Sequence, residues 1–276
     1  MRHDRASERI VRRLVISGMA IACLLIFHRG GRAEPWQEVR SKHFRVFYIA
    51  DVGFARSALN WAETYYAQIR LDLGLEHVVQ RDRALWLWDQ RCRIYLFPSR
   101  RSYLQATGVP RWSSGAVDYR NRVVYSFVGA AKFLDAVLPH ELAHILFREF
   151  VGFDNPAVPR WLDEGVAQYA ESNRREAALG TMPQAIAEGR YLSLDELDRL
   201  AVNLAHGGAA QTFYAQAVTL VHFLIQRYGT RRFIAFCRNL RDGYDLERAL
   251  SFATSSSLQS LAELEAAWRQ FFLRQD

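Results

Sequence analysis

The stretch AVLPHELAHILF, residues 136–147, places His140 and His144 four positions apart around Glu141, inside a run that is otherwise almost wholly apolar. Charged and imidazole groups are costly to bury without partners. The run therefore admits few folds: it needs a helix whose narrow polar stripe meets something that satisfies it. On a helix, positions i and i+4 share a face about 6 Å apart along the axis, so both imidazoles can aim a ring nitrogen at one cation. Glu141, a step round the helix, then stands beside such an ion without binding it, where a base for a metal-activated water belongs. The plainer alternative is an amphipathic helix whose two histidines line a polar edge.

A third donor separates these readings. Glu164 stands in WLDEGVAQY with 19 residues between it and His144, and the interval REFVGFDNPAVP holds Gly152, Asn155, Pro156 and Pro159. That is room for a turn and a returning antiparallel helix, which would bring Glu164 back to the histidines. Two imidazoles and a carboxylate suit zinc in a site that keeps a fourth position open. Pro139 has no N–H, so the helix is expected to begin close to it, with both histidines in its first two turns.

Upstream, the alternation in HFRVFYIA (43–50) and the apolar run RCRIYLF (91–97) predict strands, and GFARSALNWAETYYAQIRLDLGL (53–75) predicts a covering helix. SSGAVDYRNRVVYSF (113–127) predicts a hairpin turning at Asp118 to Asn121. From residue 131 the pattern is helical: the histidine helix, a second helix over 160–172, a less regular connection from Gly180 to Gly189, a capping box at Ser193 and Glu196, and helices over 212–229 and 261–273. The fold class is α+β. A small mixed sheet with a covering helix occupies residues 34–130, and a mainly helical part, residues 131–276, carries the motif.

Residues 1–33 read as a targeting segment, either a cleaved signal peptide or a signal anchor: arginines up to Arg13, the apolar stretch LVISGMAIACLLIF, then Gly31-Arg32-Ala33. Export is the expectation, with membrane contact only through this segment if it is retained. The segment also holds seven arginines against Asp4 and Glu8, and without it the formal charge falls from +7 to +2. Nucleic acid is thereby excluded as a partner on electrostatic grounds. Cys92 and Cys237 lack metal-site spacing; buried thiols or a disulfide are both open to them.

With these motifs in hand, the chain resembles the gluzincin metallopeptidases, more closely the peptidase MA-like family, in which an H-E-x-x-H helix is followed by W-L-x-E-G-x-A. The similarity runs from HFRVFY through both motifs to YAQAVTLVHFLIQRYG and AELEAAWRQFF. The resemblance implies a zincin-like fold, one zinc ion held by His140, His144 and Glu164, and hydrolysis of peptide bonds in a peptide or protein by zinc-activated water with Glu141 as general base. It also implies that RVVYSF (122–127) is the edge strand along which an extended substrate lies. One departure stands out. Thermolysin-like enzymes orient the first histidine with an aspartate four positions after the glutamate ligand, where this chain has Gln168, and Asp163 is the available substitute.

For the donor to the developing oxyanion, Tyr214, His206 and His222 come into question. Tyr214 is favoured because it shares the inward stripe of Ala217, Val221, Leu224 and Tyr228. Two other function classes compete: a catalytically idle, zinc-stabilised module that binds a peptide or cell-wall component, and a membrane-tethered structural protein.

Overall fold

Alternation of apolar residues builds the sheet. In β2 (Phe44–Tyr48) Phe44, Val46 and Tyr48 are buried, and in β3 (Cys92–Phe97) Cys92, Ile94 and Leu96 are buried, so one face of each strand carries the core. On the other face Phe47 stacks on Tyr95 at 4.7 Å and Tyr95 on Tyr125 at 5.6 Å between ring centroids, a ladder of register partners. With β1 (Gln37–Arg40), β4 (Ala116–Asp118) and β5 (Val123–Phe127) the strands are ordered β1-β2-β3-β5-β4; β2, β3 and β5 are parallel, and β1 and β4 pair antiparallel with their neighbours. The computed structural model describes residues 35–77, 86–199 and 208–274; the expected leader at 1–33 and His206 lie outside them.

The sheet order corrects the expected substrate edge. The 122–127 strand lies inside the sheet, between β3 and β4, and the outer edge belongs to β4. The cause is legible in burial: Val123, Val124 and Phe127 are buried and suit an interior strand, whereas β4 has three half-buried residues ending in Asp118. Asp118 closes the hairpin by accepting from the Asn121 backbone N–H at 3.1 Å. Arg122 leaves the turn in the left-handed region at φ 53° and is tied down by Glu149.

Helix α1 (Val52–Asp72) covers the buried face of the sheet, its first turn capped by Asp51, which accepts from Phe54 N–H at 2.9 Å. Helix α2 (Arg100–Thr107) follows β3 and buries Tyr103 against Phe97 and Phe127. After β5 a π-helical turn, Phe133–Val137, leads into α3 (Leu138–Val151). Pro139 is its second residue, so the missing N–H falls where the π-helical turn gives way to α-helix rather than at a free helix start.

The remaining helices are α4 (Arg160–Tyr169), α5 (Ser172–Ala187), α6 (Leu194–Arg199), α7 (Gly208–Tyr228), α8 (Thr230–Arg241), α9 (Leu246–Ala253) and α10 (Leu261–Leu273). The second helix therefore stops at Tyr169 rather than 172, and α5 runs through the stretch expected to be irregular. Ala178, Met182 and Ile186, one turn apart and buried, hold α5 on course past Gly180 and Pro183. The Ser193 and Glu196 box opens α6 as expected, Glu196 N–H donating to Ser193 Oγ at 3.2 Å and Ser193 N–H to Glu196 Oε2 at 2.9 Å. The strand-rich and helical stretches either side of residue 130 belong to one compact unit, Gln37–Asp276. Cys92 and Cys237 are buried free thiols. Among the described residues no helix is long and apolar enough to cross a membrane.

Candidate metal centre

α3 packs on α4 and α4 on α7, and a single residue sets how closely the last two approach. A Cβ on Gly165 would lie 2.5 Å from the Ala217 carbonyl oxygen, so only glycine lets α4 settle against the α7 backbone. That contact seats its neighbour Glu164 opposite α3. His140 Nε2 and His144 Nε2 are 3.2 Å apart, and Glu164 Oε2 lies 3.9 and 3.8 Å from them.

Each imidazole is fixed from behind. His140 Nδ1–H donates to Glu171 Oε1 at 2.8 Å, and His144 Nδ1–H to Asp163 Oδ1 at 2.9 Å. With those protons on Nδ1, both Nε2 lone pairs turn inward towards the Glu164 carboxylate. Two imidazole nitrogens and one carboxylate oxygen thus converge, a ligand set suited to a cation. A triangle with these sides has its centre about 2.1 Å from each corner, which is the Zn–N and Zn–O bond length. The donor set fits zinc.

The two supporting carboxylates are themselves held by arginines. Arg148 reaches Asp163 Oδ2 at 2.5 Å through its terminal nitrogen, and Arg174 Nε lies 3.1 Å from Glu171 Oε2. Burial would raise the Asp163 pKa, but His144 and Arg148 outweigh it and hold the carboxyl well below its usual range. In His144 burial favours the neutral ring, and Asp163 and Glu164 overcome it, so its pKa is raised.

Glu141 sits on α3 next to His140, and its Oε2 accepts from the Tyr119 hydroxyl at 3.0 Å. Tyr119 comes from the β4–β5 turn, with the Arg148 guanidinium 4.2 Å from its ring centroid and the His144 ring edge-on at 5.6 Å. Burial first, then the charge of Glu141, push the Tyr119 hydroxyl well above its ordinary pKa, so it stays a donor.

The family model of the peptidase MA superfamily matches residues 89–274, from β3 to the end of α10. The chain belongs to the peptidase MA superfamily. No curated protein matches it. Membership brings a metallopeptidase-type function, general zinc dependence, and peptides or proteins as substrates. The fold is of the zincin-like α+β kind.

In this peptidase MA member the structure brings together His140, His144 and Glu164 and places Glu141 beside them. Tyr214 lies within electrostatic reach of Glu164 and Arg160, its hydroxyl pKa raised by burial and by the Glu164 charge. His222 is elsewhere, among Tyr169 and Phe271 with a buried Nδ1 that has no hydrogen-bond partner among the described residues. Gln168 is buried and is replaced in the orienting role by two carboxylates, Asp163 for His144 and Glu171 for His140. Glu171, Tyr119, Arg148 and Arg160 are the site residues that motif reading missed. Arg160, 3.4 Å from Glu164 Oε1, sits one turn before it on α4 and Arg148 one turn after His144 on α3, a spacing that could have exposed both.

Proposed function

We propose that this protein is an exported zinc-dependent hydrolase of peptide bonds, with His140, His144 and Glu164 as metal ligands and Glu141 as general base. The observation that carries this reading is the convergence of two Nε2 atoms and one carboxylate oxygen, each imidazole backed by a carboxylate, beside Glu141 on the same helix. A zinc ion held there supplies Lewis acidity and lowers the pKa of water that it binds from 15.7 towards about 7.

The chain's own groups do the rest. Glu141 takes a proton at its carboxylate and returns it to the leaving amine, while Tyr119 fixes Oε2 so that the other oxygen faces the reacting water. The outer edge of β4, which pairs only with β5 among the described residues, suits an extended peptide and hence an amide substrate. Tyr214, beside Glu164 and Arg160, is the proposed donor to the oxyanion.

The test is direct. The purified protein should contain one zinc per chain and cleave members of a mixed peptide library, and Glu141→Gln should retain the metal while losing turnover by at least about a hundredfold. One zinc per chain with no cleavage by either protein would instead indicate the idle binding module. N-terminal sequencing of protein recovered from cell fractions tests export, with loss of residues 1–33 expected.

A further inference from the structure

The segment between β3 and β4 takes no part in the chemistry above, yet it gathers positive charge in one place. Arg100 and Arg101 open α2, Arg111 comes from the loop that leaves it, and with Leu104 and Gln105 they line an open groove of about 460 Å³. All three arginines are exposed, and among the described residues none of them has an ion-pair partner. Charge by itself disfavours this grouping. Neighbouring guanidinium groups repel, and the first turn of a helix is where its dipole disfavours cations. Arg100 is nonetheless held in place: it donates to the Arg111 carbonyl oxygen, and its guanidinium lies 6.0 Å from the centre of the Phe127 ring.

The groove is joined to the metal centre by a short, well-anchored run of chain. Arg111 leads through Trp112, which is 74% exposed, to Ser113, whose Oγ donates to the Gly115 carbonyl at 2.6 Å and pairs with the Tyr103 hydroxyl at 2.9 Å. Ser126 Oγ donates to the Ser114 carbonyl at 2.7 Å, pinning the same run to β5. The chain then becomes β4, the outer edge, and ends at Tyr119, which touches Glu141. From Arg111 to Tyr119 is no more than about 28 Å even if fully extended. Tyr103, on α2 beside Arg100 and Arg101, is bonded to this run through Ser113.

We propose that the Arg100, Arg101 and Arg111 groove is a carboxylate-binding subsite, in which a peptide lying along the outer edge of β4 places an acidic side chain or its C-terminal carboxylate. Guanidinium forks match a carboxylate through paired N–H···O bonds, and an incoming anion relieves the repulsion among the three. The alignment of the peptide rests on the hydrolase reading; the charge recognition does not.

The experiment is equilibrium binding by fluorescence anisotropy, using the full chain carrying Glu141→Gln so that no peptide is consumed. Three labelled peptides of one neutral sequence are compared: one with an internal Glu pair and an amidated end, one with a free C-terminal carboxylate, and one amidated and uncharged. The expected result is that one carboxylate peptide binds at least about tenfold more tightly than the uncharged one, with an advantage that shrinks as salt is raised. Which peptide gains identifies the source of the carboxylate. Combining R100Q, R101Q and R111Q should abolish the preference without changing zinc content; R111Q alone, on the exposed loop, should reduce it if the triple variant unfolds. Equal binding of all three peptides, or a preference that survives these substitutions, overturns the proposal. Cleavage of neutral peptides without any charge preference would overturn the groove and leave the hydrolase standing, whereas charge-selective binding without cleavage by the unsubstituted protein would do the reverse.

Discussion

The Tyr119 hydroxyl, from the turn at the end of the edge strand, donates to Glu141 Oε2 at 3.0 Å, joining the sheet to the proposed general base on α3. A carboxylate that must take and return a proton works best when it cannot swing away, and this bond removes that freedom. Tyr119→Phe keeps the ring under Arg148 and deletes only the donor. Its kcat should fall about tenfold to a hundredfold, the range expected for losing a hydrogen bond to a charged group, with KM changed less than threefold and zinc content unchanged. Steady-state kinetics beside metal analysis decide it; a change in KM alone would assign Tyr119 to substrate binding.

The carboxylates behind the histidines should not be equivalent. Removing either charge loosens its imidazole, so Asp163→Asn and Glu171→Gln should each weaken zinc binding about tenfold to a hundredfold in chelator competition. Asp163 also neutralises Arg148, which is partly buried, whereas Arg174 beside Glu171 is 58% exposed. Leaving a buried charge unpaired costs about 3–5 kcal/mol, so the metal-free Asp163→Asn protein should melt well below metal-free Glu171→Gln. Equal melting temperatures would mean that Arg148 finds water or another partner.

The legible part of this molecule is the part written in periodicity. The His140, Glu141, His144 and Glu164 constellation follows from helical spacing plus a turn, and α10 matches its expected bounds, Leu261–Leu273, because its apolar stripe and its Ser260 cap agree. What the sequence conceals is pairing across the chain. Nothing local says that β5 will take β3 on one side and β4 on the other, so the outer edge of the sheet is misplaced by one strand. Glu171 lies in the break between α4 and α5, where helical spacing gives no guidance, and Tyr119 reaches Glu141 only because the hairpin folds over α3. Helix α2 carries a weaker apolar signal than α8 or α9, whose buried stripes are pronounced. It opens with two arginines and has only Tyr103 buried.

Gly165 should be intolerant of even one added carbon. A methyl group there would meet the Ala217 carbonyl at 2.5 Å, with Val221 Cγ2 at 2.9 Å. Gly165→Ala should therefore force α4 off α7 at a cost of about 1–3 kcal/mol, carrying Glu164 with it and weakening zinc binding. Gly180, in the middle of α5, faces open space: a methyl group added there would have nothing within 4 Å. Gly180→Ala should raise stability by about 0.5–1 kcal/mol and leave zinc affinity alone. Thermal melts with and without zinc compare the two; similar behaviour would mean that the α4–α7 contact does not place Glu164.

Glu63 on α1 fastens the turn between β1 and β2. Its Oε1 accepts from the His43 backbone N–H at 2.8 Å and from Ser41 Oγ at 2.5 Å, and its Oε2 pairs with His43 Nδ1 at 2.6 Å. Burial would raise the Glu63 pKa, but these donors outweigh it and the pKa is lowered. A carboxyl depressed on folding adds stability above its unfolded pKa, near 4.3, and that contribution is lost as pH falls through the lower folded value. Glu63→Gln should lower the melting temperature by a few degrees at pH 7, as expected for about 1 kcal/mol of lost hydrogen bonding, and the gap between the two proteins should close as the pH drops below about 4. Melting curves from pH 7 to pH 3.5 on both proteins measure it. A gap that stays constant over that range would show that Glu63 acts through shape rather than charge.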